Sequence, residues 1–291
     1  MLGKATRSRL AAAALIAVAG LAAPLVAAAP VQAADRQRAE SPHDTASPKE
    51  AVASCPGGQE VIGASGRIKD GNGGVRLAAI VPGRRTVTVR GEAFADHEGA
   101  WSVIAAAICA PASDTLTQTA TIESGTPTAT CPNGTDVAGG GFSLPTNAVL
   151  TGLIPDVGAR TVTVRTPMIV IGGPRPIAYA ICVPQMSPFY TRSFDESSPT
   201  DSSAPKLVTA GGTSDWDRPE LSGVGGAITW VDGPGLPVGR SDVFIDTLML
   251  SSDLLTMTMQ AVDRTPPAPA LMVDPEDQWS ATAYALAPYY Y

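Results

Sequence analysis

The residue types that could do chemistry are sparse in this chain. It has two histidines in 291 residues. His43 stands in a polar stretch rich in Ser and Pro. His97 stands in Ala95-Asp96-His97-Glu98-Gly99, where a solvated loop side chain is the plain reading. Nucleophilic hydrolysis by Ser, His and Asp needs a histidine in the folded body. No Gly-x-Ser-x-Gly elbow and no His-Glu-x-x-His helix accompanies either histidine. Carboxylate pairs that cleave glycosides meet in space and leave no spacing in the sequence, so an extracellular polysaccharide hydrolase stays open as the alternative. The carboxylates to watch are Asp215, Asp217 and Asp232. They lie near Trp216, Arg218 and Trp230, a mix of flat apolar faces and hydrogen-bonding groups that suits a neutral sugar. The candidate ligand-binding residues are therefore Trp216, Asp215, Asp217, Trp230 and Asp232. A non-enzymatic protein is expected, with no catalytic residue, no metal and no cofactor.

Two glycine-rich motifs read as structure. Asp70-Gly71-Asn72-Gly73-Gly74 resembles part of a calcium loop but lacks the later carboxylate, and Asn-Gly is the usual hairpin turn. Gly139-Gly140-Gly141 has no Lys-Ser or Lys-Thr after it and opens no helix, so it predicts close backbone packing and not a phosphate cradle. Trp101 and Trp279 stand at matching places in two repeats, which points to the core.

Those residues must be positioned by a repeat. Cys131-Pro132-Asn133-Gly134, the glycine cluster, Thr161-Val162-Thr163-Val164-Arg165 and Ala178-Tyr179-Ala180-Ile181-Cys182 recur upstream. There they are Cys55-Pro56-Gly57-Gly58, Gly63, Thr86-Val87-Thr88-Val89-Arg90 and Ala106-Ala107-Ile108-Cys109. A divergent third copy has Ala204-Pro205, Gly211-Gly212, Thr256-Met257-Thr258-Met259-Gln260 and Ala283-Tyr284-Ala285-Leu286-Ala287. The alternation of the Thr-x-Thr segments predicts half-buried strands, Pro and Gly supply turns, and no stretch has a capped helical period. The fold class is all-β, with three pseudo-symmetric antiparallel repeats around a shared core. The predicted boundaries are a disordered segment over 34–54, repeat 1 with its connector over 55–130, repeat 2 over 131–203 and repeat 3 over 204–291. Residues 116–122 and 189–194 each predict a further strand in the connectors. Repeat 3 is longer, and its extra residues are expected between Thr213 and Ser252 as one surface insertion carrying the candidate site.

Four cysteines allow three connectivities. The third repeat chooses, because it has Ala204 for Cys55 and Cys131 and Ala287 for Cys109 and Cys182, so both positions are lost together. This predicts Cys55–Cys109 and Cys131–Cys182. Residues 1–33 read as a cleaved signal peptide, with Lys4, Arg7 and Arg9 before an apolar run and Val31-Gln32-Ala33 at the cleavage site. A secreted, extracellular protein is expected. Removing that segment takes away three basic and no acidic side chains, which moves the net charge from −7 to −10. An acidic chain disfavours nucleic acid and anionic membranes as partners.

The Cys-Pro-x-Gly opening, glycine cluster and Ala-x-Ala-Ile-Cys ending resemble the repeat of secreted actinobacterial proteins, and the low-lysine, alanine-rich composition fits GC-rich genomes. More loosely, three disulfide-linked β units resemble the vitelline membrane outer layer protein, whose fold is a β-prism of three Greek-key sheets. The resemblance implies a β-prism-like body and a structural or glycan-binding role, with an extracellular glycan or cell-wall polymer as partner.

Overall fold

The computed structural model describes residues 35–111, 116–121, 126–167, 173–185, 190–200, 205–211, 220–230, 242–264 and 278–289. The segment 1–33, predicted as a signal peptide, lies outside them. Among the described residues there is no helix. Unit 1 consists of β1 (Asp35–Glu40), β2 (Lys49–Ser54), β3 (Gln59–Lys69), β4 (Val75–Pro82), β5 (Thr86–Ala93) and β6 (Ser102–Pro111). Unit 2 consists of β7 (Leu116–Thr121), β8 (Thr128–Thr130), β9 (Thr135–Ser143), β10 (Gly152–Asp156), β11 (Thr161–Arg165) and β12 (Ile177–Pro184). Unit 3 consists of β13 (Tyr190–Ser197), β14 (Lys206–Gly211), β15 (Gly223–Trp230), β16 (Val243–Leu250), β17 (Thr256–Asp263) and β18 (Trp279–Tyr289). The strands β7 and β13 are the two predicted in the connectors.

The strands form three antiparallel six-stranded sheets, and every sheet is shared by two units. Sheet I has the order β1-β6-β3-β16-β17-β14, sheet II β2-β5-β4-β9-β12-β7, and sheet III β13-β18-β15-β10-β11-β8. Each unit thus gives its first, sixth and third strands to one sheet and its fourth, fifth and second to another. The seam between donors is short and identical in register: Arg67 and Gly66 pair with Thr247 and Leu248, Ser143 and Phe142 with Ala79 and Ile80, and Ala227 and Gly226 with Gly152 and Leu153. Unit 3 closes on unit 1, so the arrangement is a ring of three, prism-like about a pseudo-threefold axis.

The alternating Thr-x-Thr strands point Val87, Val89, Val162, Val164, Met257 and Met259 into the core, all fully buried. At the axis the third strands meet. A methyl group added at Gly63 would overlap the Ser222 carbonyl oxygen, one at Gly139 would lie 3.2 Å from the Gly63 Cα, and one at Gly223 would lie 2.9 Å from the Gly139 Cα. Three equivalent glycines therefore let three backbones approach where no side chain fits. Both disulfides form as expected, Cys55–Cys109 and Cys131–Cys182, and they fit an extracellular protein.

Four expectations change. Residues 34–54 are not a disordered leader from Asp35 onward, because β1 pairs with β6 and β2 pairs with β5 as edge strands. The sequence Asp-Arg-Gln-Arg-Ala-Glu lacks an apolar alternation, so β1 is held by its backbone ladder and by ion pairs of Glu40 with Arg38 (2.9 Å) and Lys69 (3.1 Å). The unit accordingly starts one strand pair before its first cysteine. Second, Lys206 opposes Ala261 as Lys49 opposes Gly91, and Gly211 opposes Thr256 as Ser54 opposes Thr86, which aligns Gly212 and not Ala204 with Cys55. Ala287 does match Cys109 and Cys182, since Leu286, Ile108 and Ile181 pair with the three axial glycines. Third, the extra residues of unit 3 do not form one insertion: strand β15, common to all units, runs between the stretch 212–219 and the stretch 231–241. Fourth, the turn Asp70–Gly74 carries the chain from sheet I to sheet II and closes no hairpin, with positive φ at Asp70 (61°), Asn72 (46°) and Gly73 (76°).

Units 1 and 3 also share a buried cation. The Lys49 ammonium lies 4.7 Å from the Trp101 ring centroid and donates to the carbonyls of Pro42, Asp44 and Trp101. The Lys206 ammonium lies 4.7 Å from the Trp279 ring and donates to the Pro199 carbonyl. Both tryptophans are in the core. Here a lysine fastens the approach to the second strand over the ring that begins the sixth.

Candidate functional site

Of the carboxylate and tryptophan cluster read from the sequence, only Trp230 falls among the described residues. Asp215, Trp216, Asp217 and Asp232 lie outside the described residues. Trp230 ends β15, is 4% exposed and packs on Trp279 at 6.3 Å between ring centroids. Its ring fills the core and presents no open face to a ligand, which corrects the expectation that it binds one. His97 is half-buried against Gly74 and Gly99, and the adjacent Asp96 is engaged by Arg264 at 2.6 Å. His43 is exposed and pairs with Asp70 at 3.1 Å.

A groove of about 1030 Å³ runs over the outer face of sheet I, across the seam where units 1 and 3 meet. Its position follows from strand alternation. On β17, Met257, Met259 and Ala261 face the core, which leaves Thr258 and Gln260 to face out. On β3 and β1 the outward positions are Arg67, Arg36 and Arg38. Met249 gives the groove an apolar floor, backed by the buried Ile104 and Ala106 in a small cluster apart from the main core. Arg36 reaches across it, with a guanidinium nitrogen 3.2 Å from the Met249 sulfur.

Asp246 lies in this groove because β16 carries a bulge. The register shifts between Ile245 and Thr247, so the residue between them is thrown out of the ladder. Its side chain is 6% exposed, and its Oδ1 has no hydrogen-bond partner. Burial pushes the Asp246 carboxyl up to about 7, against smaller opposing hydrogen bonds from the Thr247 hydroxyl and its own backbone. Two further buried polar atoms in the groove lack partners, the Nε of Arg36 and the Nε of Arg67. Burial, and after it the charges of Arg38 and Arg67, hold the Arg36 pKa below its ordinary value. Unlike Arg38, neither Arg36 nor Arg67 has a carboxylate in ion-pair contact among the described residues. Buried polar atoms in folded proteins are paired, so three orphans in one groove call for an explanation.

The other two faces show that this trio is not needed for folding. The seam register places Ser143 and Ala227 at the position of Arg67, and Ala78 and Thr151 at that of Asp246. The pairing with β6, β12 and β18 places Thr117 and Ser193 at the position of Arg36. Charge at all three places is confined to one face of a threefold body.

Sequence reasoning missed this site, though a signal was present. Asp246 is a lone carboxylate inside Val243-Phe244-Ile245-Asp246-Thr247-Leu248-Met249-Leu250, an apolar run that a buried strand explains everywhere except at that residue. No protein-family model matches this chain, and no curated protein matches it.

Proposed function

We propose that this is an extracellular, non-enzymatic protein that binds an oligosaccharide in the groove over sheet I. The observation that carries the reading is the set of three unpartnered polar atoms, on Arg36, Arg67 and Asp246, that line one groove among the described residues. A ligand would supply their partners. The outward Thr258 and Gln260 and a shallow apolar floor suit a hydroxyl-rich molecule, and the volume is that of a typical small-molecule site, about 300–1,000 Å³. Two disulfides agree with an extracellular setting. The test is glycan-array and calorimetric binding by the full chain and by an Arg36→Gln, Arg67→Gln variant. At least tenfold weaker binding with unchanged melting supports the reading, and equal binding by both overturns it.

Hydrolysis is the second reading, favoured by one observation. A carboxyl held near 7 stays protonated in mildly acidic water, as a general acid must, and Asp70 and Asp263 line the same groove as candidate second carboxylates. Release of reducing ends from polysaccharide, lost in Asp246→Asn, would select it.

A further inference from the structure

We infer that the ligand of this groove is an acidic sugar, an oligosaccharide bearing a uronate carboxylate that Arg36 and Arg67 hold and to which the Asp246 carboxyl donates a hydrogen bond. The inference rests on the groove being a glycan site and names the class of glycan.

Charge is the first ground. Arg36, Arg38 and Arg67 line the same groove, and after burial, the larger cause, the charges of the other two also depress the Arg36 pKa, a crowding that an anion would relieve. Glu40 neutralises only the outer part of this cluster, through Arg38 and Lys69. A guanidinium with a free Nε is a donor fork matched to a carboxylate. The chain as a whole is acidic, with a net charge of −7. A long polyanion would be repelled by the rest of that surface, whereas one carboxylate on a largely neutral, hydroxyl-bearing molecule meets only the local cations.

Asp246 is the second ground, since a carboxylate beside the arginines would otherwise be expected to satisfy them. It does not: it forms no ion pair with either, and it stands in the groove lining with one carboxyl oxygen buried and unpartnered. The groups around it are Arg67, Lys69 and Asp70 from β3 and the turn after it, Arg36 and Arg38 from β1, Gln260 and Asp263 from β17, and Thr247 on its own strand. Asp70 is already engaged by His43. A neutral carboxyl in that company can donate its proton to an incoming carboxylate, as paired carboxyl groups share one proton. Once ionised it repels the same ligand. Binding should therefore be strongest between the ionisation of the uronate and that of Asp246, and weaken above about 7. If the bound carboxylate raises the Asp246 pKa by one further unit, affinity falls about tenfold across that step.

The experiment titrates the full-length secreted chain with a galacturonate trisaccharide, its fully methyl-esterified counterpart, a neutral galactose trisaccharide and a tetraglutamate peptide, at pH 5.5 and pH 8.5. The expected result at pH 5.5 is binding of the galacturonate at least tenfold tighter than of the ester or the neutral trisaccharide, and about tenfold weaker binding of the galacturonate at pH 8.5. Asp246→Asn should flatten the pH dependence, while His43→Asn should keep it. Equal affinity for acid, ester and neutral trisaccharide would overturn the acidic ligand and leave the glycan site standing. No binding of any sugar would overturn both, and tight binding of the peptide alone would assign the groove to an acidic polypeptide. Retained pH dependence in Asp246→Asn would remove Asp246 from the recognition.

Discussion

Replacing Asp246 by Asn tests the burial of this carboxyl directly, because the amide keeps its shape and cannot ionise. In the unfolded chain the carboxyl titrates at its ordinary value of 3.8, and in the folded protein at about 7. Below 3.8 both states are protonated and burial carries no ionisation penalty. Between 3.8 and about 7 the unfolded chain releases its proton while the folded one keeps it, so folding stability falls as pH rises. Above 7 the penalty is complete and constant. At about 1.4 kcal/mol per decade of proton affinity, the interval corresponds to roughly 4 kcal/mol. Carboxylates whose pKa is lowered, such as Glu40 and Asp96, are common to both proteins and cancel in the difference. Guanidinium denaturation at pH 4, 5, 6, 7 and 8 should then show the variant nearly equal to the parent at pH 4 and more stable by several kcal/mol at pH 8. A difference that does not grow with pH, or a variant less stable at pH 8, would refute the account of Asp246 as a desolvated, unpaired acid.

Other outcomes follow from the packing. Gly63→Ala should destabilise by about 3 kcal/mol or more through backbone collision at the axis, while Gly57→Ala, with open space around it, should be near neutral in the same denaturation assay. Trp230→Ala should cost about 3–5 kcal/mol as a core cavity, whereas Leu207→Ala, 65% exposed, should stay within about 0.5 kcal/mol. Lys49→Met should lose about 2–4 kcal/mol by stranding the carbonyls of Pro42, Asp44 and Trp101, read from the shift in the denaturant midpoint. Each disulfide closes a loop worth about 4 kcal/mol in chain entropy. Because unit 3 is paired into sheets with both other units, reduction should lower one cooperative transition, and hydrogen exchange should show unit 3 loosening with the rest.

The parts of the fold legible in the sequence were those written in side chains. Cys55, Cys109, Cys131 and Cys182 announce themselves, and Thr86-Val87-Thr88-Val89 carries its period of two openly. The strand β1 is different: what makes Asp35–Glu40 a strand is a row of backbone partners on β6, contributed by residues some 70 positions away. The third unit was misaligned by the chance match of Ala204-Pro205 with Cys-Pro, when the informative residue was Lys206, whose burial over Trp279 no local pattern expresses. The candidate site was hidden for a related reason. Arg36, Arg67 and Asp246 are brought together by a seam between the first and last thirds of the chain, and Asp246 reaches the groove only through a bulge.

The exchange of strands between units has a consequence for synthesis. Sheet I requires β1, made from residue 35 onward, and β17, which ends at residue 263. While the chain grows from its N-terminus, β3 offers an unpaired edge toward a partner that does not yet exist, and the axial contact of Gly63 with Ser222 is equally remote. Loop closure over such separations is slow, and exposed edges recruit other chains. A ribosome-bound intermediate holding the first two units would therefore be expected to need a chaperone, or a delay in folding, until the last third emerges to complete the ring.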